Sequence, residues 1–406
     1  CSGTEFRDYF CNSTNGCQYN IITKEENWTN DNCNDGIDND CDGQTDGADS
    51  GCGTAAVCGN NIIEGTEVCD GTALAGKTCA DFGYSGGTLG CLANCFNYDT
   101  SSCTSDIVEL SSCQTLSQAG KTYKLVNNIT IPGSVDCFII SSNEITLDCQ
   151  NHKITGASAK SAIKITGART KSVKNCILEN VGNSASDGAI YISANNVTIE
   201  NNQITNSYKA IRSSGVSYLS IRNNLIKNNN YGIETSSIIL DSVIENNVIG
   251  SSTYHGISLS GNRVLIKNNN ITNNQQYGIY SASGTFSNNV IKGNNISRNT
   301  LDGVYTSSSG NNNSFIENTI SGNQGGINLG ASSSSNNLTG NTICSRNAYS
   351  DDISCFASQK KAIGNACNNV NFICSIMGGI TCDSTCGSAS SLNWWEGIKQ
   401  SFKSIW

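Results

Sequence analysis

The feature that most restricts this chain is a repeat of 21 to 25 residues running through its middle. It shows as two ladders. In one, a small residue precedes an aliphatic one: Ala189-Ile190, Ala210-Ile211, Gly232-Ile233, Gly256-Ile257, Gly278-Ile279, Gly303-Val304 and Gly326-Ile327, with aliphatic members 21, 22, 24, 22, 25 and 23 residues apart. In the other, an aliphatic residue, usually followed by a charged one, leads through asparagines to a second aliphatic residue. It reads Ile199-Glu-Asn-Asn-Gln-Ile204, Ile221-Arg-Asn-Asn-Leu-Ile226, Ile244-Glu-Asn-Asn-Val-Ile249, Ile266-Lys-Asn-Asn-Asn-Ile271, Ile291-Lys-Gly-Asn-Asn-Ile296 and Ile316-Glu-Asn-Thr-Ile320. Leu338 to Ile343 repeats it without the charge.

Each unit holds three apolar stretches too short to bury anything alone. Stacking solves this. Coils spaced about 4.8 Å apart place each position above its equivalent, so inward isoleucine packs on inward isoleucine. The asparagine pairs then fall at one corner of every coil, where Asn tolerates left-handed backbone and its amide can bond to the Asn above. A leucine-rich repeat has a similar period but needs a leucine consensus absent here. The expected fold is all-β: a right-handed parallel β-helix over residues 107–345, with small disulfide-rich N-terminal modules and a disulfide-capped C-terminal end. This stretch resembles the pectate-lyase-like parallel β-helix repeats of secreted and surface proteins, many of them archaeal. The resemblance implies the fold and says little about activity.

The 22 cysteines of the 406-residue chain mark the other regions. Thirteen fall between Cys1 and Cys113, three at Cys137, Cys149 and Cys176, none in the next 167 residues, and six between Cys344 and Cys386. An even count without C-x-x-C pairs, beside only two histidines, points to disulfides made in an oxidising compartment rather than to zinc or iron–sulfur ligation. An extracellular or cell-surface location is expected, with Cys1 read as a disulfide partner rather than a lipid anchor. Cys149 and Cys176 lie 27 residues apart, about one coil, and are expected to bond across stacked turns; Cys113 and Cys137 would fasten the first coil in the same way. No run of eighteen apolar residues offers a membrane-spanning helix. A net charge of −9 with scattered lysines argues against a nucleic-acid partner. Eight Asn-x-Ser/Thr sequons, starting at Asn12, Asn27, Asn128, Asn196, Asn270, Asn295, Asn312 and Asn337, permit glycosylation.

Residues 1–57 form the first expected module. Asp38, Asp40, Asp42, Asp46 and Asp49 stand at positions 1, 3, 5, 9 and 12 of a twelve-residue loop, with Gly43 at 6 and Gln44 at 7. Ca2+ takes six to eight oxygens on a sharply turning backbone, which this spacing supplies, Gln44 through its carbonyl. No helical pattern flanks the loop; Cys33, Cys41 and Cys52 do. In that respect it resembles thrombospondin type 3 repeats, which implies calcium. Residues 58–106 resemble the cysteine-rich repeat of large secreted microbial proteins, with Cys58-Gly-Asn-Asn-Ile-Ile-Glu-Gly-Thr-Glu-Val-Cys69-Asp-Gly as its signature, and imply a small stapled scaffold.

Parallel β-helices often carry sugar chemistry, which makes the polar positions of the repeat candidate sites. Lys174, Glu200, Arg222, Glu245, Lys267, Lys292 and Glu317 follow the ladder aliphatics and should pair across coils, worth about 0.2 to 1 kcal/mol each. The outward positions of the other strand are Tyr191, Arg212, Glu234, Ser258, Tyr280, Tyr305 and Asn328, a stripe that could lie under a polysaccharide or a partner protein. His255, read as a surface histidine at a turn, is the best single candidate for a general base, with Asp302 two coils on. No catalytic residue is assigned. A cap is expected over 346–390 and an amphipathic helix over 391–406, with Trp395, Ile398, Phe402, Ile405 and Trp406 on one face. The reading that results is an extracellular structural or adhesive protein, self-associating into an oligomer or filament. A polysaccharide lyase, a glycoside hydrolase or a sugar-binding module is the alternative.

Overall fold

The computed structural model describes residues 6–12, 16–22, 57–65, 67–157, 159–167, 170–281, 285–306, 310–345, 351–371, 374 and 380–386. The chain divides into two units, Cys1–Asp106 and Ile107–Trp406.

In the second unit the short apolar stretches become strands of three long parallel sheets and one of three short strands, Ile239–Leu240, Gly261–Asn262 and Phe286–Ser287. Sheet A has twelve strands, from Ile107–Leu110 to Lys361–Ile363; sheet B has ten, from Ile129–Thr130 to Thr342–Cys344; sheet C has eleven, from Gln114–Leu116 to Ile353–Cys355. One coil runs from Ile190–Ile192 in sheet C through Val197–Glu200 in A and Gln203–Thr205 in B to Lys209–Ser213, back in C. The sequence therefore supplies a β-solenoid, and its coils run on beyond Ile343 into the cysteine-rich stretch.

Strand alternation sends one residue set inward. Ile190, Ile211, Ile233, Ile257, Ile279, Val304 and Ile327 stack in sheet C, each at most 1% exposed. Each such burial contributes about 1.5 to 3 kcal/mol. The small residue before them has a steric cause: a Cβ on Gly278 or Gly303 would lie 2.4 Å from Cγ2 of Ile296 or Ile320, both on sheet B.

The asparagine pairs divide their work. The first of each pair, Asn201, Asn223, Asn246 and Asn268, turns the A-to-B corner with φ of 55° to 56°, which Asn tolerates better than most residues. The second is buried and forms a ladder, in which Nδ2 of Asn202, Asn224, Asn247, Asn269, Asn294, Asn318 and Asn341 each donates to Oδ1 of the next, ending at Asn365, over 2.9 to 3.0 Å. Asn247 shows the full set: its Oδ1 also accepts from the Asn224 N–H at 2.9 Å, and its Nδ2 also donates to the Ile221 carbonyl at 2.9 Å. Two shorter ladders, Asn274 to Asn323 and Asn289 to Gln359, line the other corners.

One rung of the sequence alignment shifts. Sheet A pairs Phe315, not Ile316, with Ile291, and places Ile316 outward beside Lys292. Phe315 is fully buried, whereas Glu317 takes the left-handed corner position with φ of 53°. Reading the aliphatic Ile316 as the inward residue overlooked the larger apolar side chain just before it.

Disulfides Cys113–Cys137 and Cys149–Cys176 cross stacked coils as the spacing predicts. Cys344–Cys386, Cys355–Cys374 and Cys367–Cys382 tie the last coils. In the first unit, strands Phe6–Asn12 and Gly16–Ile22 pair antiparallel. Residues 57–104 are held by Cys58–Cys95, Cys69–Cys91 and Cys79–Cys103 around little apolar core, with a 3-10 turn at Cys79–Phe82 and the buried Asp70 carboxylate accepting from the N–H groups of Gly59 and Asn60.

Candidate functional site

Sheet C presents two outward columns. Its strands register Lys164, Tyr191, Arg212, Glu234, Ser258, Tyr280, Tyr305 and Asn328 in one line, so the stripe read from the sequence is a continuous surface feature. A second column comes from the residues just before the small ladder: Lys209, Tyr231, His255, Tyr277 and Asp302. The backbone N–H groups of Gly232, Gly256 and Gly278 donate to the carbonyls of His255, Tyr277 and Asp302, which fixes these side chains coil by coil.

At one end the face is ionic. Glu234 meets Lys209 Nζ at 2.8 Å and Arg212 Nε at 3.3 Å, with Lys209 and Glu234 largely buried. Lys209 also donates to the Ala185 carbonyl and Arg212 to that of Ser186, so a loop lies over this end. The Arg212 guanidinium sits 5.6 Å from the Tyr191 ring, which places Tyr191 apart from the other tyrosines.

Towards the C-terminal end the face turns aromatic. Tyr231 stacks on Tyr254 at 4.7 Å, His255 on Tyr280 at 4.1 Å and Tyr277 on Tyr280 at 5.0 Å; Tyr305 lies 4.9 Å from Tyr277. These rings turn their faces to one another, which leaves phenol edges for a ligand rather than an open stacking platform. Tyr208, Tyr231, Tyr254 and Tyr277 were not singled out in the sequence, although they recur every 23 residues, a period that could have found them.

His255 differs from its sequence reading. It is 7% exposed, not a surface group, because three tyrosines from the coils on either side enclose it. That burial lowers its pKa to about 4, and Nδ1 has no hydrogen-bond partner. Asp302 does stand two coils on, with Tyr277 between them, so the pair is separated by about 10 Å at the usual strand spacing. Burial also raises the Asp302 carboxyl above its ordinary range, against the opposing hydrogen bond from Asn328 Nδ2 at 3.2 Å.

The charges on sheet A pair as expected: Arg222 with Glu200 at 2.8 Å, Lys267 with Glu245 at 2.9 Å and Lys292 with Glu317 at 3.5 Å, while Lys174 reaches Asp148 at 3.8 Å. The candidate calcium ligands Asp38, Asp40, Asp42, Gln44, Asp46 and Asp49, and the aromatic tail at 391–406, lie outside the described residues. Among the described residues one group has metal-site geometry, Cys58, Glu67 and Cys95, and its two sulfurs are joined in a disulfide.

Two family models match. One, described as "Right handed beta helix region", matches residues 238–393; the other, described as "Periplasmic copper-binding protein (NosD)", matches residues 105–258. Comparison with the curated proteins gives no match. Among solved structures the chain is similar to the Dettilon tailspike protein, at 16% identity over 69% of this chain and 60% of that one, with a TM-score of 0.44. It is also similar to the A-module of the Azotobacter vinelandii mannuronan C-5 epimerase, at 12% identity over 69% and 88%, TM-score 0.48. A third is a pectate lyase, at 14% identity over 66% and 70%, TM-score 0.46. The chain thus spans less than two thirds of the tailspike's length, and at these identities nothing about activity passes from any of them. What the geometry and the matching models together establish is the architecture: an all-β, right-handed parallel β-solenoid with disulfides towards both ends.

Proposed function

We propose that this chain is an extracellular structural or adhesive protein whose solenoid serves as a stiff support for contact surfaces. The observation that carries this is the self-satisfaction of its repeated columns. Opposite charges pair along sheet A, asparagines close their own ladder, and tyrosines stack on tyrosines, so the repeat invests its side chains in holding coil to coil. The disulfides place it in an oxidising compartment outside the cytosol. In this reading Asp38, Asp40, Asp42, Gln44, Asp46 and Asp49 hold Ca2+, and subunits self-associate, with the tail at 391–406 as the joining segment. The phenol edges of Tyr280 and Tyr305, and separately Tyr191, form the contact face for a polysaccharide. Particle size and electron micrographs of the native protein with calcium and after chelation test this. Monomers of unchanged size under both conditions would sink both the assembly and the calcium role.

A second reading rests on His255 and Asp302, an imidazole kept neutral and a carboxyl inclined to keep its proton on one face, which is how acid–base pairs are prepared. It makes the chain a carbohydrate-active enzyme. Release of reducing or unsaturated sugars from acidic polysaccharides, lost in both His255→Ala and Asp302→Asn, would establish it and displace the first. Copper is not part of either reading. The sequence has two histidines and one methionine, His255 is enclosed by tyrosines, and the described cysteines are all bonded to one another.

A further inference from the structure

Cysteines tie both ends of the solenoid and leave the 167 residues between Cys176 and Cys344 without one. That stretch holds phenol rings of successive coils in contact instead. We propose that Tyr231–Tyr254 and Tyr277–Tyr305 are sites of oxidative tyrosine–tyrosine cross-linking, which ties neighbouring coils covalently where no disulfide can.

The geometry selects these pairs. Tyr231 and Tyr254 lie one coil apart with ring centroids 4.7 Å apart and planes 17° from parallel; Tyr277 and Tyr305, also one coil apart, are at 4.9 Å and 31°. Tyr231 and Tyr305 sit on strands of sheet C, and backbone bonds to neighbouring coils hold Tyr254 and Tyr277 just before theirs, so a radical formed on one ring has the other beside it. All four side chains are partly exposed, so an oxidant can draw electrons from them. Burial raises the phenol pKa of Tyr231 and Tyr277, so each keeps its proton until oxidation removes it. Tyr218 is the built-in contrast. It is 59% exposed and stacks on no ring among the described residues.

The reaction needs a one-electron oxidant of the peroxidase type and hydrogen peroxide. Each phenol loses one electron and its hydroxyl proton. The two phenoxyl radicals join through ring carbons next to the oxygens, and the displaced ring hydrogens return to the oxygens by tautomerisation. One hydrogen peroxide takes up the two electrons and two protons and becomes two waters. This inference relies on the extracellular placement proposed above, but its test does not depend on adhesion, assembly or sugar chemistry.

The test is oxidation of the full chain at high dilution with peroxidase and hydrogen peroxide, followed by sizing, intact mass and mapping of joined peptides. The expected product is a single chain, lighter by two hydrogens per link, that gains dityrosine fluorescence and yields the 231–254 and 277–305 joined peptides. Tyr254→Phe should abolish the first link and leave the second, and Tyr218→Phe should change neither. Links through Tyr218, covalent dimers, or a link confined to Tyr277 and Tyr280 of one coil would overturn the proposal.

Discussion

The first coils of the solenoid are tied by sulfur and the middle ones by amides, and one corner shows why. Cys176 occupies the position that Asn202 fills one coil later, since Lys174 registers with Glu200 and Ile177 with Gln203. Its N–H donates to Asn202 Oδ1 at 2.9 Å, so the disulfide is the lower end of the amide ladder. In the coil below, four residues, Cys149 to His152, separate the two strands, against two, Asn175 and Cys176, above. An amide ladder requires the same corner length in every coil. Where the length changes, a disulfide with its Cα atoms 4.7 Å apart makes the connection. Here covalent closure marks the irregular corner, and the regular ones above it hold by repetition.

Breaking the middle should cost most. Asn247→Ala removes four hydrogen bonds from a dry corner, those with the Asn224 N–H and amide, the Ile221 carbonyl and the Asn269 amide oxygen. A loss of about 4 kcal/mol is expected, about 1 for each bond, read as a lower denaturant midpoint. Breaking the end comes next. Replacing Cys149 and Cys176 with serine opens a loop of 27 residues and should cost about 3 kcal/mol, with a midpoint that no longer responds to reductant at this bond.

Acid should then weaken the middle through His255. Its folded pKa of about 4 lies below the ordinary 6.5, so between those values the unfolded chain binds the extra proton. Stability is full above about pH 6.5 and falls as pH drops towards 4, by about 2 to 3 kcal/mol. Asp302, whose carboxyl is raised by burial, has the opposite sign and loses stabilisation as pH rises. Denaturant midpoints at neutral and acid pH, compared with His255→Phe, isolate the histidine; an unchanged slope in that variant refutes the assignment. The smallest effect belongs to the surface. Lys267→Ala removes a half-exposed pair with Glu245 but also a like-charged neighbour in register, Lys292, so stability should move by less than about 0.5 kcal/mol in the same assay.

The fold was legible because a solenoid writes its contacts at a fixed sequence interval. Ile233 and Ile257 touch because they are one period apart, and Cys149 and Cys176 could be paired for the same reason. Where the interval slips by one, as at Phe315 and Ile316, apolar character alone did not say which residue faces in. The candidate face was half legible. Tyr280 and Tyr305 follow from strand alternation, but Tyr231 is the first residue of its strand and Tyr277 precedes its own, where alternation gives little direction. The burial of His255 was hidden for a related reason. It arises from Tyr231 one coil before and from Tyr277 and Tyr280 one coil after, and a turn histidine followed by glycine reads locally as exposed.

Every rung of the main asparagine ladder donates towards the next coil in the C-terminal direction, seven bonds in succession. Bonds in such a series polarise one another, so the molecule carries an arrow along its axis. A coil inserted in the same sense, with its asparagine in place, extends the series without disturbing it. A coil inserted in reverse would set donor against donor. The solenoid is therefore free to grow or shrink by whole coils over evolutionary time, and its length is a quantity that can change while its cross-section stays fixed.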